Sequence, residues 1–245
     1  MGISHHGHTE RLDLADPTLR EWECAVVGVD PERGIVLDRS AFYPGGGGQP
    51  PDHGVLLWNG VQTRIVGTVK GDDLYLVPAD GDLLPAAGTA VVGAVEDARR
   101  TLLMRTHSGL HVLCGVVFRD YGSLVTGGNM EPGLARMDFD LPEVPPGFKE
   151  TVENSCNTEI AAGRAIVARV LPRDEAFALP DIIRTATNLV PPEVKEVRII
   201  DIVGLDQQAD GGTHVATTSQ IGRIEVAKIE NKGRGFRRLR IRITD

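Results

Sequence analysis

Aromatic residues are scarce in this chain, with Phe, Trp and Tyr together making up 4%. A hydrophobic core must therefore be built from Val, Ile, Leu and Ala. Cysteine is equally thin. Cys24, Cys114 and Cys156 are odd in number and widely scattered, which excludes a disulfide framework and reads as reduced cytosolic thiols, so a cytoplasmic location is expected. No apolar run approaches the roughly 20 residues of a membrane span, and no membrane partner is expected. His5, His6, His8, Glu10 and Asp13 stand where a signal peptide would carry a basic patch and an apolar stretch, so no signal peptide is expected. Those histidines receive no role, and the terminus is expected to be mobile. An excess of basic charge is missing too. The net charge of −8 argues against a strong, non-specific nucleic-acid binder. Internal repeats are absent.

What is present is the composition of an ordinary soluble protein, 41% hydrophobic and 24% charged over 245 residues, enough for one large domain or two modest ones. The pattern changes character near Val95. Before it, ECAVVGV and RGIVLDR flank the turn sequence DPERG, and VQTRIVGTVKGDDLYLVP and GTAVVGAV continue the same strand–turn rhythm. Strands at roughly 8–12-residue spacing predict a small β-barrel over residues 1–95. After it, EDARRTLLMRTHSGLHVLCGVVFRDYG is helical and ends at Tyr121-Gly122. LARMDFDL alternates as a strand. GFKETVENSCNTEIAAGRAI reads as a second helix with Val152, Cys156 and Ile160 on one stripe. IVARVLP and EVRIIDIVGL are strands, DEAFAL and the segment from Asp181 to Leu189 short helical or irregular pieces. IGRIEVAKIEN and FRRLRIRIT form an antiparallel pair. Residues 96–245 are thus expected to be strands with helices on one face, and the chain as a whole to be α+β.

Two residue pairs carry the chemistry. His107 and His111 lie four apart in THSGLHVLCGVVF, on the helical stripe shared by Leu103, Leu110 and Cys114. Side chains at that spacing have Cβ atoms roughly 5–6 Å apart, so both imidazoles can reach one ion. Asp210 and His214 repeat the spacing in ADGGTHV. Gly211 and Gly212 disfavour a regular helix there, at roughly 1 kcal/mol each relative to Ala, and suit a tight loop approached closely by a ligand. The central expectation is that the two pairs close on one divalent metal. The plainer readings are two unrelated helical histidines and a glycine turn with His214 in solvent. Zinc peptidases place Glu after the first His of such a helix; Ser108 stands there, so that chemistry loses its general base.

SAFYPGGGGQPPDHG lacks the Lys-Ser/Thr ending of a phosphate-binding loop and leads into no helix, which makes nucleotide binding a poor reading. It is either a structural loop or a surface of exposed amides that meets the second domain or an RNA end. The C-terminal cluster of Lys228, Lys232, Arg234, Arg237, Arg238, Arg240 and Arg242 could meet phosphates; alternatively it is the solvated side of a strand whose Leu239, Ile241 and Ile243 face the core.

FYPGGGGQPPDHG, the HSGLH helix, DGGTHVATTSQIG and FRRLRI, in that order and covering nearly the whole chain, resemble the AlaX family, free-standing relatives of the alanyl-tRNA synthetase editing domain. The glycine-rich barrel points to the medium-sized type. The resemblance implies a two-layer α/β editing domain after the barrel, and trans-editing: hydrolysis of tRNA for alanine wrongly charged with serine, or in some members glycine. It implies the acceptor end of that tRNA as partner and one Zn²⁺ per chain on His107, His111, Asp210 and His214. The usual loop reads Cys-Gly-Gly-Thr-His. Asp210 replaces that cysteine, a legitimate zinc ligand but a harder one, which lets other divalent ions compete. Cys114, roughly 10 Å along the helix from His107, is too far to share a tetrahedral ion and is taken as core. Family position also makes Thr126 the candidate for recognising the serine hydroxyl. The amides of Gly211, Gly212 and Thr213 are expected close to the reacting ester. Two other functions fit the same residues: a non-catalytic tRNA-binding protein, and a metal-dependent hydrolase of small amino-acid esters. Both monomer and homodimer remain open.

Overall fold

The computed structural model describes residues 5–187 and 190–245. It divides into two compact units, one of residues 1–46 and 50–101, the other of residues 47–49 and 102–245. The chain therefore passes between units at 101/102, six residues beyond the boundary read from the pattern, and Gly47–Gln49 count with the second unit. Among the described residues, no helix is long and apolar enough to cross a membrane.

The first unit opens with β1 (His5–His6), β2 (Thr9–Arg11) and the short α1 (Leu12–Ala15). Then come β3 (Glu21–Asp30), β4 (Gly34–Leu37), β5 (Arg39–Ser40), β6 (Gly54–Trp58), β7 (Val61–Lys70), β8 (Leu74–Pro78) and β9 (Ala90–Val95). Six of these close a barrel in the order β3-β4-β8-β7-β6-β9. Alternation explains the closure: along β3, Trp22, Cys24 and Val26 point inward, where they meet Ile35, Leu37, Leu56, Ile65, Leu76 and Val91. Few aromatics suffice, because Trp22 and Phe42 stack edge to face at 5.1 Å within that cluster. The N-terminal expectation needs correcting at His5–His8: β1 pairs with β2, and the His8 ring lies 3.0 Å from Asp73. Residues 1–4 lie outside the described residues.

The barrel unit also buries an ion pair that sequence reading passed over. Arg100 and Asp52 are both fully buried. Arg100 Nε donates to both Asp52 oxygens at 3.0 and 2.9 Å, its Nη1 to Pro17 O at 2.9 Å and its Nη2 to Ala41 O at 2.6 Å. Tyr43 N–H adds a bond to Asp52 at 2.7 Å.

α2 (Asp97–Tyr121) is 25 residues long, about 37 Å at 1.5 Å per residue. It stops where Gly122 takes φ +67° and returns its N–H to Phe118 O. β10 (Val125–Glu131), β11 (Leu134–Phe139), α3 (Phe148–Ala161), β12 (Ile166–Pro172), α4 (Arg173–Phe177), β13 (Glu196–Ile202), β14 (Asp206–Ala209), a 3₁₀ turn (Thr218–Ile221), β15 (Arg223–Asn231) and β16 (Arg237–Thr244) follow. The strands form two antiparallel sheets, β10-β11-β16-β15 and β12-β13-β14. Val112, Leu113, Val116 and Val117 of α2 and Val152, Cys156 and Ile160 of α3 cover one face of the first sheet. They bury Met137, Leu239, Ile241, Ile224 and Val226, each such side chain contributing roughly 1.5–3 kcal/mol. Cys114 is a core residue of this cluster, and all three cysteines are free. The segment at 181–187 is irregular rather than helical, with Asp181 at φ +54°. The end of that expected piece, at Leu189, lies outside the described residues.

Candidate metal centre

His107 and His111 occupy successive turns of α2, and Asp210 and His214 the loop after β14. The loop is held from β13. Asp210 N–H donates to Arg198 O at 3.0 Å, and Arg198 Nη1 donates to the carbonyls of Asp210 and Gly212 at 3.2 and 2.8 Å. It is held from α2 as well, where Ser108 Oγ accepts Val215 N–H at 3.2 Å.

The two pairs meet, with one ligand atom from each residue lying within 4.8 Å of the other three. The Nε2 atoms of His107, His111 and His214 stand 3.5, 4.0 and 3.1 Å from the Asp210 carboxylate. All three imidazoles are buried, with ring centroids 4.3 to 5.0 Å apart. The outward nitrogens differ. His107 Nδ1 is 2.9 Å from Gln49 Oε1, and His214 Nδ1 is 3.1 Å from Ser108 Oγ. His111 Nδ1 is buried with no partner among the described residues.

Electrostatics leave the Asp210 carboxylate facing neutral nitrogen donors on His107 and His214. Burial holds His107 down at about 4 against the opposing pull of Asp210, and burial with the neighbouring His107 holds His214 well below the usual imidazole value. Both are neutral at pH 7, with lone pairs available. Burial pushes Asp210 up, but His107 and the hydrogen bond to His214 outweigh it, and the carboxyl lies well below its usual range. A buried carboxylate beside the neutral imidazoles of His107 and His214, with the Nε2 of His111 within reach, is a donor set that fits a divalent ion. Donors at about 2.0–2.1 Å from one tetrahedral ion stand about 3.3 Å apart, close to the separations here.

Gly212 is required by this packing. A Cβ there would sit 2.2 Å from His107 Cε1 and 2.8 Å from Gln49 Oε1. Its N–H donates to Asp210 Oδ2 at 2.6 Å, and Thr213 N–H donates to Gln49 Oε1 at 3.1 Å. Two of the three loop amides therefore hold the ligand set. Gly211 N–H has no hydrogen bond among the described residues.

His107, His111, Asp210 and Gly211 line a cavity of about 980 Å³ that also takes in Gly47, Gly48, Thr126 and Asn129. Thr126 is the bulged residue of β10: pairing steps from Val125↔Phe139 to Gly127↔Asp138 and skips it. Gly45 to Gly48 all take positive φ, a run open only to glycine. It delivers Gln49, which sequence reasoning noted only as a flank of the glycines. The outward arginines of β16 meet carboxylates instead of standing free. Arg238 grips Asp138 with two bonds of 2.7 Å, and Arg240 and Arg242 reach Glu230 and Glu225.

A family profile described as "Threonyl and Alanyl tRNA synthetase second additional domain" matches residues 197–240. The chain is 36% identical to the alanyl-tRNA editing protein AlaX-M of Saccharolobus solfataricus, over 94% of this chain and 97% of that one. It is 33% identical to the AlaX-M protein of Methanosarcina acetivorans, over 97% of this chain and all of that one. It is also 33% identical to the alanine–tRNA ligase of Pyrobaculum neutrophilum, where 91% of this chain matches 25% of the ligase.

Proposed function

The chain belongs to the AlaX-M family of alanyl-tRNA editing proteins, and on that footing we propose that it deacylates tRNA for alanine mischarged with serine, and with glycine as a second substrate. The observation that carries this reading is the convergence of His107, His111, Asp210 and His214, three of which (His107, His111 and Asp210) line a cavity large enough for an aminoacylated nucleotide. In the proposed reaction water adds to the ester carbonyl and the bond to the ribose oxygen breaks. Free amino acid and tRNA with its hydroxyl restored are released.

His107, His111, Asp210 and His214 would hold one divalent ion, which we assign as zinc. Such an ion, when bound, supplies Lewis-acid polarisation of the carbonyl and acidifies water. The protein's own contribution lies in placement. Gly211 N–H is the loop donor left for the carbonyl oxygen, since the amides of Gly212 and Thr213 are taken up by Asp210 and Gln49. Thr126, freed from the ladder by its bulge and lining the cavity, would bond the serine hydroxyl, the group that distinguishes serine from alanine.

The test is single-turnover deacylation of Ser-tRNA, Gly-tRNA and Ala-tRNA, all on the alanine isoacceptor. Ser-tRNA is expected to be consumed far faster than Ala-tRNA. Equal rates, or tRNA binding without turnover at any metal loading, would overturn the reading. Thr126→Val is expected to lower kcat/KM for Ser-tRNA by roughly tenfold and to leave Ala-tRNA unchanged. Metal analysis of protein purified without added metal should give one equivalent of zinc. Because a carboxylate replaces the softer thiolate, manganese or iron in its place is the specific alternative.

A further inference from the structure

We propose that Gln49 is a positioning residue of the metal centre, setting the tautomer of His107 so that Nε2 presents its lone pair to the ion. This rests on the metal-site reading above and adds to it a fifth side chain from a remote part of the sequence.

The inference follows from which atom of the Gln49 amide faces which neighbour. Gln49 is 2% exposed, so its polar atoms must find partners inside the protein. Thr213 N–H, a backbone donor with no other role available to it, lies 3.1 Å from Oε1. The other end of the amide donates from Nε2 to Thr213 Oγ1 at 2.9 Å. A backbone N–H cannot face an NH₂ group, so Thr213 fixes the amide's orientation. The same oxygen then stands 2.9 Å from His107 Nδ1. An amide oxygen only accepts, so His107 Nδ1 must carry the proton. With Nδ1 given to the amide oxygen, Nε2 is the nitrogen left to present a lone pair to an ion, and Nε2 is the atom that faces Asp210 at 3.5 Å.

Space enforces the arrangement. Only a glycine at position 212 leaves room for the His107 ring and the Gln49 oxygen side by side. One amide thus ties together the ligand helix through His107 and the ligand loop through Thr213. Removing such an outer partner of a ligating histidine typically costs about 10–100-fold in metal affinity.

Three measurements test this. First, nitrogen-15 spectra of histidine-labelled, metal-free wild type at neutral pH, with His107 assigned through His107→Asn, should show His107 protonated on Nδ1. Second, chelator competition should show Gln49→Met, checked to be folded when metal-free by circular dichroism, binding zinc about 10–100-fold more weakly than wild type. Third, Gln49→Glu, which keeps an oxygen for both His107 and Thr213, should bring affinity back to wild type or above. His107 protonated on Nε2, or Gln49→Met matching wild-type affinity, would overturn the proposal. Failure of the underlying metal reading has a separate signature: wild type itself would bind no stoichiometric divalent ion, and the proposal would fall with it.

Discussion

Arg100 and Asp52 in the first unit are as deeply buried as His107, His111 and His214 in the second, yet the two clusters are finished differently. Around Arg100 every charge is met: the guanidinium faces a carboxylate and two backbone carbonyls, and the carboxylate also takes Tyr43 N–H. Around Asp210 the carboxylate meets the imidazoles of His107 and His214, held neutral by burial, and Nδ1 of His111 has no partner among the described residues. A closed network of the first kind does structural work. An open one, with a carboxylate facing bare ring nitrogens, could hold an ion.

That contrast can be broken experimentally, and the largest effect belongs to the closed cluster. Arg100→Met leaves Asp52 buried and unpaired and is expected to cost about 3–5 kcal/mol in denaturant unfolding, with ion affinity of the folded protein unchanged. Next comes the open cluster. Zinc at 100 times its dissociation constant should stabilise wild type by about 2.7 kcal/mol. Asp210→Ala should lose that increment, and its turnover should fall to that of ion-free protein. Gly212→Ala is expected to be milder, about 1–3 kcal/mol for overpacking against His107, with weakened zinc binding measured alongside. A further effect is one of pH. His107 titrates at about 4 when folded and at about 6.5 unfolded, so in that window the unfolded chain alone takes the proton. The ion-free protein should keep this contribution above about pH 6.5 and lose it progressively toward pH 4; His107→Gln should make that slope shallower, leaving the share of His214.

Much of this was visible in local pattern. The period of α2 put His107 and His111 on one face, and the alternation of β16 put Leu239, Ile241 and Ile243 inside. The paired glycines of the Asp210 loop pointed to a close approach by a ligand; what Gly212 makes room for here is the His107 ring and the Gln49 amide. What stayed hidden depends on contacts between distant segments. Nothing near Arg100 in the chain says that its partner is Asp52, 48 residues away. Gln49 and Thr213 are 164 residues apart. The carboxylate partners of the β16 arginines were hidden as well, because a single strand does not reveal its register; pairing with β11 and β15 sets Asp138 opposite Arg238 and Glu225 opposite Arg242. Thr126 was placed by position in the family, whereas the bulge that frees it is a property of two strands together.

Ser108 has a consequence for what this scaffold can become. Its hydroxyl has no exposure and is wedged between the His214 ring and the Val215 amide. A glutamate at that position, the change that would imitate a zinc peptidase, would thrust a charged, longer side chain into the joint that seats His214. Gaining a proton acceptor there would dismantle the ligand it was meant to assist. The route from ester cleavage to peptide cleavage is thus closed at that residue by the architecture of the loop it supports.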